Sequence, residues 1–503
     1  MAKILKNSTG SNISIMDTGV TIVANSSYSI PAQDANLWAA SSNIVTKIGS
    51  GDIIVNDGSV DLSISDGTDL IKGIYQKQRI IGNTDSTLIG NVGDKLKTYT
   101  TLDPSNSNPV KFEDGRFLDA FGRLRVSNPF TIFDCNFPFD KQPLVFSEST
   151  TSGGTVAHSS PKNAVVLTCT TTTNSRAIFQ SRRYFKYHPS KSQLCIFTGN
   201  FKEYSANVDK YFGQFDANNG FFFKVTSTLN VGIRSKITGS VVDNVISQAN
   251  WNLDKLDGTG SSGKTLDITK QQIFAIDYQW LGSGRVRFGF IIDGQLIYCH
   301  QFLHGNILET MYSQSADLPY RAEIKNNVSS TSTLELTCMS VISEGGYHPD
   351  AENRAVNNGA TSRTFGTVGT QLPILALRKQ STYVTIPIEI WELGVFAPST
   401  NDFLVEIIMN GTITGGTWTT AGVTGICEVN RSATSISGGT VIKTFYLKGT
   451  SQGGSLESGG FGGSKGIILG SDLGGVSDTI SIVAVNLTQT AACLGYINYG
   501  ELT

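Results

Sequence analysis

The stretch Gly258-Thr259-Gly260-Ser261-Ser262-Gly263-Lys264-Thr265 matches the phosphate-cradling pattern G-x-x-x-x-G-K-[ST]. Shortly after it, Ile273-Phe274-Ala275-Ile276-Asp277 looks like an apolar strand ending in a metal-binding aspartate. Phosphate binding by such a loop needs a buried strand before it and a helix after it, so that backbone N–H groups converge on the anion. Here the preceding run, Trp251 to Asp257, is polar, and eleven residues separate Thr265 from Asp277. No helix with a parallel crossover fits in that gap. The pattern therefore reads as an exposed Gly/Ser loop without nucleotide.

The histidines are His158, His188, His300, His304 and His348. His300 and His304 stand four apart, which converges two rings on a metal only on a helix, and these two fall on and just beyond a strand pattern. Among the carboxylates, Asp216, Asp277, Asp293 and Glu323 lie in the most patterned part of the chain. Glycoside cleavage needs two facing carboxyl groups at a set separation, and nothing in the sequence pairs these. Asp293 reads as a turn residue, and Glu323 as a partner for Arg321. The seven cysteines, Cys135, Cys169, Cys195, Cys299, Cys338, Cys427 and Cys493, are scattered and never spaced C-x-x-C. They read as buried apolar thiols rather than a disulfide frame or zinc site. No catalytic residue, cofactor or metal ligand is assigned.

The most informative surface is a hairpin over Arg285–Phe302. Val286, Phe288, Phe290 and Ile292 alternate into Asp293-Gly294, a two-residue turn favouring type I′ geometry. That turn sets Ile292 against Gln295, Phe290 against Ile297 and Phe288 against Cys299, one apolar core face. The opposite face carries Arg285, Arg287, Tyr298, His300 and Phe302. Arg, Tyr and His interleaved on a sheet suit either a ligand, such as a sugar or peptide, or a contact with another domain or subunit; the contact is the plainer reading.

The elements that position these residues are nearly all strands. Short Val/Ile/Phe/Thr runs are bounded by Gly, Asn, Asp or Ser throughout, the pattern of an all-β chain built from sandwiches. One short helix is expected over Asp34–Ser41, with Asp34 as its N-cap. Residues 1–76 form a small β domain and residues 77–128 an extended connector. Residues 129–346 form a central jelly-roll or lectin-like sandwich, residues 347–375 a second polar connector, and residues 376–503 a C-terminal β-sandwich. Gly453–Gly466, with seven glycines, reads as a flexible loop.

Composition narrows the classes. In 503 residues, 39 Lys+Arg nearly balance 41 Asp+Glu, and only 16% of residues are charged. That argues against nucleic-acid binding or a polybasic membrane contact. No apolar run is long enough to span a membrane, and the N-terminal residues lack the apolar core of a signal peptide.

The run Asp119-Ala120-Phe121-Gly122-Arg123-Leu124-Arg125-Val126-Ser127, continuing to Asp134, resembles a segment common in virion structural proteins of tailed bacteriophages. Residues 285–302, 318–326 and 343–346 resemble the same proteins. Residues 3–73 are similar to N-terminal attachment domains of phage fibre-like proteins. The resemblance implies a tail-associated fibre or appendage protein, mounted on other virion proteins through residues 1–76, self-associating as a homotrimer and located in the virion. The alternatives are a head- or collar-attached fibre, or a carbohydrate-binding module that recognises a host-surface glycan. The resemblance implies no catalytic residue.

Overall fold

A computed structural model describes residues 3–31, 38, 40–57, 59–64, 128–348, 350–398, 400–448, 453–457 (backbone alone), 466–488 and 491–502. The connector through residue 127, including the segment 119–127, lies outside the described residues, as do 34–37 and 458–465. The chain divides into two compact units, residues 1–111 and 112–503.

In the first unit, Ile4–Asn7 lies between Ser27–Ser29 and Ile53–Asn56 in a three-stranded sheet, and Ile13–Ile15 pairs with Val20–Ile22. A helix spans Ser42–Gly49; the expected helix over Asp34–Ser41 falls mostly outside the described residues, and within it Trp38 and Ala40 are helical. Ser41 is the N-cap of Ser42–Gly49: its Oγ accepts from the Ile44 amide at 3.1 Å and donates to Asp17 at 2.6 Å. Asp17 also accepts from the Asn43 amide, placing a carboxylate at the positive end of the helix. The helix buries Ile44 and Ile48, one turn apart, against Leu5, Ile15, Trp38, Ile53 and Val55.

The central part of the second unit is an antiparallel sandwich. Its seven-stranded sheet runs in the order Val242–Ser247, Leu229–Ser235, Gly220–Val225, Val208–Phe215, Tyr320–Asn326, Arg176–Ser181, Phe146–Thr151. The facing eight-stranded sheet runs Gln295–Phe302, Val286–Ile292, Gln272–Tyr278, Gln193–Asn200, Ser332–Ser343, Ala164–Cys169, Thr155–Ser159, with Phe130–Asn136 also on Ser332–Ser343. Alternate residues of both sheets meet in one core rich in aromatic rings. Phe274 stacks on Phe197 at 5.2 Å, and Phe223 meets Phe288 edge-on at 5.3 Å and Phe290 at 5.2 Å. Such pairings add to the burial of large apolar areas.

The Asp293-Gly294 turn forms as expected, with φ of 52° and 77°. Ile292 opposes Gln295 and Phe290 opposes Ile297, but Gly289 then opposes Tyr298 and Phe288 opposes His300. Cys299 is the extra residue of a β-bulge, so the expected Phe288–Cys299 pairing does not occur. The bulge sits where residues 252–254 dock on the strand's outer edge. The Leu253 and Asp254 amides both donate to the Cys299 carbonyl at 3.1 Å, and Asn252 brackets Gln301 at 2.9 Å through both its amide and its carbonyl. One inserted residue shifts the facing of everything beyond it.

The C-terminal part is a second sandwich with its own core. One six-stranded sheet contains Glu352–Asn357, Arg363–Phe365, Ala491–Glu501, Ile388–Phe396, Gly453–Glu457 and Ile467–Leu469. The other contains Trp418–Thr420, Cys427–Asn430, Gln371–Lys379, Thr479–Asn486, Phe403–Met409 and Thr440–Leu447. Two expectations are corrected here. Residues 352–375 are not a bare connector, because their strands pair with Ala491–Glu501 and Thr479–Asn486. The start of the glycine-rich run is an edge strand rather than a loop, since Gly453–Glu457 pairs with Phe396–Glu392.

The two sandwiches are joined by a buried polar contact. Arg182 Nη2 lies 2.6 Å from Asp478, which also accepts from Asn410 at 3.0 Å and from the Gly470 amide at 2.8 Å. The Ser471 amide donates to the Arg182 carbonyl at 2.7 Å, and the Leu473 amide to Ser147 Oγ at 3.2 Å.

Phe288→Ala opens a void among Phe223, Phe302 and their neighbours and is expected to cost about 3–5 kcal/mol, and Arg287→Ala, which removes the charge paired with the buried Asp277, is expected to destabilise as well; chemical denaturation of both variants checks this. Asp478→Ala strands Arg182 at the joint and is expected to destabilise by about 3 kcal/mol or more. Calorimetry should then show the two sandwiches melting in separate steps, where the parent chain melts them together.

Candidate functional site

The outward face of the Arg285–Phe302 hairpin holds fewer of the expected residues than the sequence suggested. Beyond the bulge, Phe302 pairs with the inward-facing Val286 and joins the core. His300 is buried with it: its ring sits edge-on to Phe302 at 4.7 Å, and its Nδ1 accepts from the Asn252 amide at 3.3 Å. Neither is part of a surface. Arg285 is exposed at the start of the hairpin. Arg287 and Tyr298 do share the outer face, where the guanidinium lies 4.0 Å above the tyrosine ring. Both converge on Asp277, Arg287 through an ion pair and Tyr298 by donating its hydroxyl at 2.7 Å. Burial and the neighbouring carboxylate push the Tyr298 hydroxyl pKa well up.

The other expected carboxylates are likewise held. Asp216 caps a turn by accepting from the Asn218 and Asn219 amides at 2.7 and 2.8 Å. Asp293 pairs with Lys264 at 2.8 Å. Glu323 accepts from Arg321 Nη2 at 2.7 Å and from Arg176 Nε at 2.6 Å. Burial raises its pKa, but the two guanidinium charges and their hydrogen bonds outweigh burial and hold it below the ordinary carboxylate value. A general acid must carry a proton near neutral pH; Glu323 is ionised there.

Glu323 lies on the outer face of the seven-stranded sheet, in an array that sequence reasoning missed. Tyr211, Phe215 and Phe222 cluster there under Arg234, whose guanidinium is 5.4–5.8 Å from all three rings. Arg234 is held by Asp243 at 2.8 and 2.9 Å, and Arg321 covers Phe215 at 5.5 Å. The run Gly220-Phe221-Phe222-Phe223 is apolar on both faces, so alternation gives no signal; only the cross-strand arginines show that the second face is closed by the protein's own side chains.

The histidines do not form a metal site. His304 Nδ1 lies 2.7 Å from the Gly284 carbonyl and its ring stacks on Tyr312, away from His300. Burial lowers the His300 pKa to about 4. Among the described residues no group of three or more His, Cys, Asp or Glu side chains could hold a metal ion, and no helix is long and apolar enough to cross a membrane. All seven cysteines are unpaired.

The G-x-x-x-x-G-K-T stretch is an exposed loop pinned at its base. Asp257 bridges Thr265, and the Gly258 amide donates to the Lys264 carbonyl at 3.0 Å. Inside it, Asp254 accepts from the Leu256 and Ser262 amides at 2.9 and 2.8 Å. The base of this loop is also one wall of a groove of about 460 Å³. Leu229 and Leu256 line the groove and are buried, Tyr204 is 45% exposed, and Thr228, Gln248, Asp257 and Thr265 add polar groups. Gln248 is anchored by donating to the Lys255 carbonyl at 2.8 Å, which fixes its amide plane. Asp257 Oδ1 is occupied by the Thr259 amide and hydroxyl at 2.9 and 2.6 Å. The groove draws on five short segments between residues 204 and 266, and no single motif announces it.

No protein-family model matches the sequence, and no curated protein sequence matches it. Among solved structures, the chain is similar to a legume lectin-like domain from Entamoeba histolytica (9% identity, TM-score 0.27, 42% of this chain and 96% of that one). It is similar to a family 16 glycoside hydrolase of Bacteroides ovatus bound to a mixed-linkage glucan product (8% identity, TM-score 0.29, 42% and 99%). It is also similar to a glycoside hydrolase family protein from Mycobacterium thermorestibile (10% identity, TM-score 0.30, 42% and 99%).

A group whose folded pKa lies below its unfolded value contributes stability that is complete above the unfolded pKa and lost as pH falls through the folded one. The stability gap between the parent chain and Glu323→Gln is therefore expected to be full above about pH 4.3, the ordinary glutamate value, and to shrink at more acid pH. Urea titrations at stepped pH check this; a gap that widens on acidification would mean that Glu323 is protonated in the folded protein.

Proposed function

We propose that the chain is a non-catalytic attachment protein, a structural component of a viral appendage whose central sandwich binds carbohydrate. The observation that carries the non-catalytic reading is the commitment of its buried carboxylates. Glu323, Asp277 and Glu335 are each matched by arginine, lysine or tyrosine donors. Asp216 and Asp254 are tied to backbone amides. None of these is left as a proton donor facing a second carboxylate across a cleft.

The viral part of the proposal rests on the likeness of residues 119–134 to phage structural proteins. Attachment through residues 1–76 is supported by apolar side chains exposed on that unit, with Met16 at 84% and Val23 and Val60 both above half. An exposed apolar set of this kind suits a partner surface. Self-association, as a homotrimer, belongs to the same proposal. The joint at Arg182 and Asp478 suits a chain that must hold two sandwiches in fixed relation under load.

The full-length protein is to be tested on an oligosaccharide array, with release of new reducing ends followed in parallel. Retention of glycans without cleavage is expected. Cleavage that disappears on substituting a single carboxylate would overturn the non-catalytic reading.

A further inference from the structure

We infer that the groove between Tyr204, Gln248 and Asp257 is a binding site for a neutral saccharide, an inference that rests on the carbohydrate-binding reading and assigns it a place. Ligand pockets span about 300–1,000 Å³ and combine an apolar floor with a few fixed polar groups. This groove, at about 460 Å³, has that make-up. A pyranose presents a face of C–H bonds and a rim of hydroxyl groups. The ring of Tyr204, an exposed residue, supplies a flat surface for the first, at little cost in conformational freedom, since tyrosine has only two side-chain torsions.

The rim is met by acceptors already oriented. Gln248 spends its amide N–H on the Lys255 and Leu256 carbonyls, which leaves its side-chain oxygen for a ligand hydroxyl. Asp257 spends Oδ1 on Thr259, which leaves Oδ2. Fixing these groups before the ligand arrives lowers the ordering cost of binding. Thr265 adds an exposed hydroxyl that donates or accepts, while the Thr228 hydroxyl is engaged with the Asn230 side-chain amide.

Charge decides between kinds of sugar. The groove's described lining includes one carboxylate, Asp257, and no lysine, arginine or histidine. Lys264, the nearby cation of the loop, is turned to Asp293 at 2.8 Å. Hydrogen bonding within the loop keeps Asp257 below the ordinary aspartate pKa, so it remains ionised at neutral pH. A sialylated, uronic or sulfated sugar would meet that negative charge and find no cation in the groove's described lining to pair with. A neutral one would give its hydroxyl protons to acceptors.

The test uses the full-length protein, an array of neutral and acidic oligosaccharides, and titration calorimetry with the neutral oligosaccharide that the array retains best. Tyr204→Ala and Gln248→Ala are each expected to weaken binding at least tenfold, and Tyr204→Phe to keep most of it, since the ring remains. Arg287→Ala, on the other sheet, should leave affinity unchanged, and circular dichroism of each variant controls for folding. Neutral binding unaffected by the Tyr204 and Gln248 substitutions would overturn the groove while leaving the carbohydrate reading in place. Preference for acidic glycans would overturn the assigned ligand class. Failure of the parent protein to retain any glycan would overturn both.

Discussion

The aromatic layer between the two central sheets is the constraint on which the rest of this chain depends. Phe197, Phe212, Phe223, Phe274, Phe288 and Phe290 come from five different strands of both sheets, and their ring centroids lie about 5–6 Å apart. Close-packed rings leave little freedom for either sheet to slide. Gly199 marks how tight the fit is, because a Cβ there would sit 2.6 Å from the Phe212 ring. The loops at the sandwich rim inherit that fixed frame, and with it the positions of Tyr204, Gln248 and Asp257.

A core this apolar penalises unmatched charge near it. Lys210 is fully buried and donates to the Phe201 and Glu203 carbonyls. Glu323 takes two arginines, and Asp277 takes an arginine and a tyrosine. Charges neutralised in this way hold the sheets in one arrangement. The same logic operates at the joint of the two sandwiches, where Asp478 gathers Arg182, Asn410 and the Gly470 amide. The groove departs from this pattern, because there Gln248 and Asp257 use only part of their hydrogen-bonding capacity.

Alternation and turn chemistry made much of the fold legible. The all-β class, the Asp293-Gly294 turn and the inward set Val286, Phe288 and Phe290 follow from period-two patterning. The bulge at Cys299 does not, because it depends on residues 252–254 docking from more than forty positions away. The helix Ser42–Gly49 was not read from local signals; Ser41 caps it, and Ile44 and Ile48 face the small N-terminal core. The strand Gly453–Glu457 was hidden by its glycines, since an edge strand is held by backbone hydrogen bonds that any residue supplies. Of the expected surface residues, Arg287 and Tyr298 meet on the outer face and His300 and Phe302 turn inward. The groove was beyond sequence reasoning, since it exists only once five separate segments are brought together.

The most direct measurement is a crystal structure of the full-length protein soaked with a neutral tetrasaccharide. A sugar ring stacked on Tyr204, with hydroxyls within hydrogen-bonding distance of Gln248 and Asp257, is the expected result. An intact groove left empty, with saccharide lying instead across Arg321 and Glu323 on the seven-stranded sheet, would contradict it.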